Sequence, residues 1–184
     1  SYTNQNIYNL HSKIKKSFFE TNSYLNKNDP ELIEYSAFYG SIQIFRYIFL
    51  NEFVKYTEKD SFWLYAVHGN NSEMISYFEE NFIKPENEDY KKSLFESIKC
   101  HHNDMTDYFL NNFIQRSKNN YDFQKEISIC LKYYNFKYFP DEIDFNSIFS
   151  LICKYNYVFF LELILKSKII SNENIEKILI NFFV

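Results

Sequence analysis

Glu31 to Asn51 reads ELIEYSAFYGSIQIFRYIFLN, and the pattern returns as SFWLYAVHGNNSEMISYFEEN from Ser61 and as KSLFESIKCHHNDMTDYFLNN from Lys92. The three stretches align without gaps at offsets of 30 and then 31 residues, which is the length of one helix-turn-helix unit. Each aligned column makes one physical demand. Ser36, Ala66 and Ser97 supply a small residue where a first helix must approach its neighbour, and Ile33, Trp63 and Leu94 share a core column of that helix. Ile44, Met74 and Met105 begin an apolar face on a second helix. Tyr47, Tyr77 and Tyr108 with Ile48, Phe78 and Phe109 continue it at i+3 and i+4. Gln43, Glu73 and Asp104 precede that face, where the positive end of the helix dipole favours them. Asn51, Asn81 and Asn112 close the units, as Asn does near helix C-termini.

Working outward, an offset of 30 carries Cys100, Tyr108 and Phe109 onto Cys130, Tyr138 and Phe139, with polar Asn135 in the middle of this fourth unit. An offset of 53 carries Ser97, Cys100, Asn103 and Met105 onto Ser150, Cys153, Asn156 and Val158, giving a fifth. The expected organisation is a capping region over residues 1–29, repeats over 30–166 (31–58, 61–87, 92–118, 124–140, 145–166) and a terminal helix or further repeat over 167–184. Within the cap, Ile14, Phe18 and Phe19 have helical spacing. The apolar ending at Phe182, Phe183 and Val184 is unusual for a capping element.

Composition agrees with helices. The chain has 184 residues, 46% of them hydrophobic and 21% aromatic, which is enough apolar area to offset chain ordering. Two Gly and three Pro are too few for an all-β sandwich or a glycine-built phosphate loop. A net charge of -4 with dispersed Lys and Arg argues against a nucleic-acid partner. Cys100, Cys130 and Cys153 form no CxxC pair and read as reduced thiols of a cytoplasmic, intracellular protein. Ser1 to Leu10 lacks the basic and apolar regions of a secretory signal. Ser147 to Leu165, the most apolar stretch, contains Lys154 and Glu162, so it is read as a packed helix and no membrane partner is expected.

The columns resemble ankyrin repeats: a small residue in the first helix, a polar turn, then a second helix written Ser-Glu-Met-Ile-Ser-Tyr-Phe from Ser72 to Phe78. Residues 31 to about 165 are similar to divergent ankyrin-like proteins expanded in AT-rich protist genomes, through LIEYSAFYGSIQIF, YAVHGNN, ESIKCHHND and CLKYYNFKYF. No Thr-Pro-Leu-His opening occurs, and Asn70 and His101 stand where turn glycines would. The resemblance implies an all-α, ankyrin-like solenoid of stacked helix pairs with inter-repeat hairpins short or absent, and a generic protein-binding role. It carries over no catalytic residue and no cofactor.

Chemistry-bearing residues are sparse. Cys100, His101 and His102 are zinc-ligand types, but adjacent ligands seldom close one tetrahedron and no second pair accompanies them. A Cys-His nucleophilic pair could be drawn from Cys100, Cys130 or Cys153 with His11 or His68, but it needs an orienting third group, and all three Cys fall on inner columns of helical units, where free Cys behaves as a small buried hydrophobe. No catalytic or metal residue is therefore expected. The leading reading is a scaffold or adaptor that binds a protein on the concave face of the stack. The candidate contacts are Glu34, Tyr35, Phe38, Tyr39, Tyr65, His68 and Lys99 on first helices, with Tyr56, Glu58, Lys59, Glu86 and Glu88 on loops. The alternatives are a structural segment of a longer array, self-associating through its apolar end, and, more remotely, a Cys- or zinc-dependent enzyme.

Overall fold

The structure, a computed structural model, describes residues 13–15, 17–52, 60–85, 90–114, 123–139 and 145–167. Among these residues it is all-helical, apart from an isolated antiparallel bridge between Lys13 and Glu31. A short helix α1 (Ser23–Asn28) precedes α2 (Leu32–Phe38), α3 (Ile42–Glu52), α4 (Asp60–His68), α5 (Ser72–Glu80), α6 (Lys91–Lys99) and α7 (Asn103–Asn112). Then come α8 (Phe123–Tyr133), a 3-10 turn (Phe136–Tyr138), α9 (Phe145–Lys154) and α10 (Val158–Ser167). The connections that would carry inter-repeat hairpins lie partly outside the described residues, at 53–59, 86–89 and 115–122.

One turn recurs between paired helices. Gly40, Asn70, His101, Tyr134 and Asn156 all have φ between 56° and 67°. The amide after each donates to a carbonyl five residues back: Ser41 to Ser36, Asn71 to Ala66, His102 to Ser97, Asn135 to Cys130 and Tyr157 to Ile152, at 2.8–3.0 Å. This is the Schellman closure, in which a left-handed residue lets two carbonyls at the helix end find donors. Four of the five units thus hold a non-glycine residue in a conformation that costs about 1–2 kcal/mol. Tyr134, two-thirds exposed, has little packing to lose. Tyr134→Gly is therefore expected to raise stability in urea titration by about 0.5–1 kcal/mol, the strain relieved less the entropy glycine adds to the unfolded chain.

The described chain forms two compact units. One holds the residues up to Ser97 together with His102–Ile114, and the other holds Ile98–His101 together with the residues from 115 onward. In the first, α2 packs on α3 and α4, and α4 on α5. Ile33, Trp63 and Leu94 are fully buried, as are Phe45, Met74, Phe78 and Phe109; each such side chain contributes about 1.5–3 kcal/mol. Ser36 and Ser97, buried in the small-residue column, return their hydroxyl protons to Ile33 O and Leu94 O at 2.6 and 2.7 Å. The closing asparagines share a role too: Asn51, Asn81 and Asn112 donate to the carbonyls of Tyr47, Tyr77 and Tyr108. Each is a side-chain donor to the carbonyl four residues back, near the C-terminal end of its helix.

The tyrosine column departs from the sequence reading. Tyr47 and Tyr108 lie on the exposed side of their helices, as does Ile44. The core face runs instead through Phe45, Ile48 and Phe49 in α3 and Met74, Ile75 and Phe78 in α5. Tyr108 pairs its hydroxyl with Glu79 at 2.6–2.8 Å.

In the second unit α9 packs on α8 and α10, around Ile127, Leu131, Ile148, Phe149 and Ile152. The shared turn sets the register here and corrects the alignment. Cys130, not the Ile127 that an offset of 30 gives, is equivalent to Ser97, and Ile152, not Ser150, is equivalent to it in the fifth pair; Asn135 follows the left-handed residue as His102 does. The fourth pair has only a 3-10 turn as its second element because Phe139 is extended, at φ −66° and ψ 131°, and Pro140 follows it. In the fifth pair Asn156 sits in the turn and Val158 begins α10, so the single helix read from Ser147 to Leu165 is two.

Candidate functional site

The first-helix face carrying most of the predicted contacts is occupied by the chain's own N-terminal segment. The segment's helix is α1, started by the Asn22 side chain accepting from the Tyr24 and Leu25 amides at 2.9 and 3.2 Å. Ile14, Phe18 and Phe19 do not form the helix their spacing suggested. Ile14 donates its amide to Pro30 O at 2.8 Å, Glu20 donates its amide to Ser17 O at 3.1 Å, and the two Phe side chains are fully exposed. Buried Leu25 and half-buried Tyr24 anchor α1.

Two clusters result. Glu20 Oε2 accepts the hydroxyls of Tyr35 and Tyr39 at 2.9 and 3.0 Å, while Glu20 Oε1 accepts the Asn22 amide at 2.8 Å. Beside it, the Tyr24 ring stacks on His68, with centroids 3.8 Å apart, and meets Tyr65 edge-on at 5.3 Å. His68 Nδ1 lies 2.7 Å from Glu96 Oε1. The imidazole is thereby held between a ring and a carboxylate.

The predicted contact residues on the first helices can be placed. Phe38 and Tyr65 are buried, contrary to the outward position expected for them: Tyr24 of α1 packs on Tyr65, and Phe38 lies against the rings of Tyr39 and His68. Tyr35, Glu34 and His68 are half-buried and Tyr39 is half exposed. Lys99, in the second unit, places Nζ 5.8 Å from the Tyr133 ring centroid. Tyr56, Glu58, Lys59, Glu86 and Glu88 lie outside the described residues. Sequence reasoning missed Glu20, Tyr24 and Glu96. Glu20 and Tyr24 belong to no repeat, so no column exposes them. Glu96 stands in the column of Tyr35 and Tyr65, and a carboxylate there was a legible signal.

The electrostatics follow from these contacts. The Asn22 amide and then the Tyr35 hydroxyl hold Glu20 below the ordinary carboxylate range. Burial pushes Glu34 above it, even though Glu34 closes a capping box by accepting the Glu31 amide. Burial, then Glu79, raises Tyr108 to about 12, and burial with the charges of Glu34 and Asp29 raises Tyr65 further.

The two carboxylates pull stability in opposite directions. Glu20, depressed, contributes stability present above its unfolded pKa and lost as pH falls through its lower folded value. Glu34, raised, contributes stability present below its unfolded pKa and lost as pH rises through its higher folded value. Glu34→Gln, which copies the protonated side chain, is accordingly expected to stabilise the protein near pH 7 and to leave it unchanged near pH 3. Glu20→Gln should destabilise only at the higher pH. Urea titrations at both pH values check the signs.

The residues flagged for zinc are pulled apart by their hydrogen bonds. His102 Nδ1 donates to Val67 O at 2.8 Å and His101 Nε2 to Tyr133 O at 2.7 Å. The three cysteines are free; Cys130 is buried, whereas Cys100 and Cys153 are half-buried and so are not the wholly inner residues expected. Burial raises the Cys153 thiol, which lowers its thiolate fraction.

Two surface features of the first unit bear on binding. Ile44, Tyr47 and Leu50 are 50%, 63% and 65% exposed and follow one another at three-residue steps along α3. A shallow groove of about 350 Å³ lies between α5 and α7, walled by Ser72, Ile75, Ser76, Asp104, Met105 and Tyr108. Among the described residues no helix is long and apolar enough to cross a membrane. Comparison of the chain with protein-family models, with curated proteins and with solved structures finds no match.

Proposed function

We propose that the chain is a divergent ankyrin-like repeat module, its helix pairs stacked in chain order, that binds a protein partner. The observation that carries this reading is a polar ladder at the shared turn. In the second to fifth pairs the residue after the left-handed position reaches back to the end of the first helix of the preceding pair: Asn71 to Phe38 O, His102 to Val67 O at 2.8 Å, Asn135 to Ile98 O at 2.8 Å and Tyr157 to Leu131 O at 2.5 Å. Four different bonds of one kind at one repeat position are what nearest-neighbour stacking requires. Binding is then inferred from the architecture, by analogy with other solenoids.

The partner face is assigned to second helices. The first-helix tyrosines are engaged by Glu20 and α1, whereas Ile44, Tyr47 and Leu50 offer the amphipathic and apolar groups that interfaces favour. A tagged chain is to be compared with its Tyr47→Ala/Leu50→Ala variant by affinity capture and mass spectrometry, with circular dichroism as the folding control. A protein retained by the parent and reduced about tenfold or more by the folded variant supports the reading. Equal retention by both contradicts the assigned face. The alternative of a structural segment is favoured by the exposed Val158, Phe159 and Leu163 on α10; it moves ahead if nothing is retained.

A further inference from the structure

Beyond protein binding, we propose that the turn at Ser17–Glu20 is a docking tip for an anionic lipid surface, with Phe18 and Phe19 as the inserted groups. Two adjacent phenylalanines with their whole side chains in water are unusual in a chain that buries Phe45, Phe62, Phe78, Phe109 and Phe149 completely. Neither fills a core, and neither is at a helix position that a neighbouring repeat would cover.

The tip is held in place at both ends. On one side Ile14 donates to Pro30 O at 2.8 Å and Lys13 bridges Glu31. On the other, Glu20 is fixed by Tyr35, Tyr39 and the Asn22 amide. Across the turn, Ser17 accepts from Glu20 N through its carbonyl at 3.1 Å and from Phe19 N through its hydroxyl at 3.2 Å. A turn so constrained presents its rings without having to order a loop at the moment of binding.

Charge selects the occupant. The sequence into the tip is Lys13-Ile14-Lys15-Lys16-Ser17, three lysines in a chain whose net charge is -4. Lys13 and Lys15 are exposed. Lys13 is partly answered by Glu34, and Glu20, the acid beside the rings, is committed to its tyrosines. Aromatic groups with a basic flank match the two signals that stable peripheral attachment needs, since apolar insertion or lysine attraction alone is weak. The expectation of no membrane partner rested on the absence of a spanning segment, and a surface contact needs none.

The test is sedimentation of the full chain with vesicles of phosphatidylcholine alone and of phosphatidylcholine with phosphatidylserine, at low and physiological salt. The chain should sediment with the anionic vesicles, less so as salt rises, and not with the neutral ones. Phe18→Ser/Phe19→Ser should reduce the bound fraction about tenfold or more and Lys15→Glu should reduce it several-fold, with unchanged circular dichroism because Phe18, Phe19 and Lys15 are exposed. In a Phe18→Trp variant the added emission should shift to the blue on anionic vesicles, over the constant background of buried Trp63. Absence of vesicle binding at low salt, or binding that the serine pair leaves intact, overturns the proposal. A tip that fails on vesicles yet is protected by a captured protein would also overturn it, assigning the rings to a protein pocket.

Discussion

Trp63→Ala should destabilise the protein by about 4 kcal/mol in urea titration followed by circular dichroism, the upper part of the range for emptying an aromatic core site. The indole is wholly buried, stands within 5.2–6.3 Å of the rings of Phe78, Tyr90, Phe109 and Phe113, and donates Nε1–H to Ile83 O at 2.8 Å. It joins residues from α4, α5 and α7 and the connection after α5, so its loss opens a cavity that no single element can collapse to fill. Trp63→Phe separates the two contributions. It keeps most of the packing and withdraws the donor from Ile83, and should cost about 1–2 kcal/mol. A cost for Trp63→Ala under about 1.5 kcal/mol would mean that the first unit is not packed around this ring.

Gly69→Ala is the second large effect, at about 3 kcal/mol, near the top of the range for overpacking. A methyl group at Gly69 would overlap the carbonyl oxygen of Phe38, the atom that also accepts the Asn71 side chain. That carbonyl ends α2 and cannot retreat without breaking the ladder between the first two pairs. Gly40→Ala is the informative comparison. Gly40 is the residue with a left-handed φ, +67°, and its added Cβ would meet Asn71 Oδ1 at 2.6 Å, the tip of a side chain rather than backbone. Its cost should be nearer 1–2 kcal/mol. The predicted order is the reverse of what backbone conformation alone would give, and urea midpoints of the two variants measure it.

The sequence was most legible where three copies of the repeat could be compared. Ile33, Trp63 and Leu94 are all buried because a shared column reports a shared packing demand. The same comparison misled for Tyr47 and Ile44, since α3 buries the neighbouring positions Phe45 and Phe49 and so turns its face by about one residue. The fourth unit was misaligned because cysteines were matched by identity, whereas the turn after Cys130 obeys a backbone demand that does not select a residue type, since Ile152 holds the same position in the fifth pair. Left-handed Tyr134 could not be recognised from its type. The candidate site was half visible. Repeat columns pointed to Tyr35, Tyr65 and His68, but nothing in a repeat foretells that Glu20 and Tyr24, outside it, take those side chains as internal partners.

The shared turn is the central claim, and amide hydrogen exchange measured by NMR tests it most directly. The amides of Ser41, Asn71, His102, Asn135 and Tyr157 each close a Schellman bond. They should exchange slowly as a set, including the two in the second unit whose sequences look least like the repeat. Fast exchange at Asn135 and Tyr157 alongside protection at Ser41, Asn71 and His102 would contradict a common turn and leave only three true repeats.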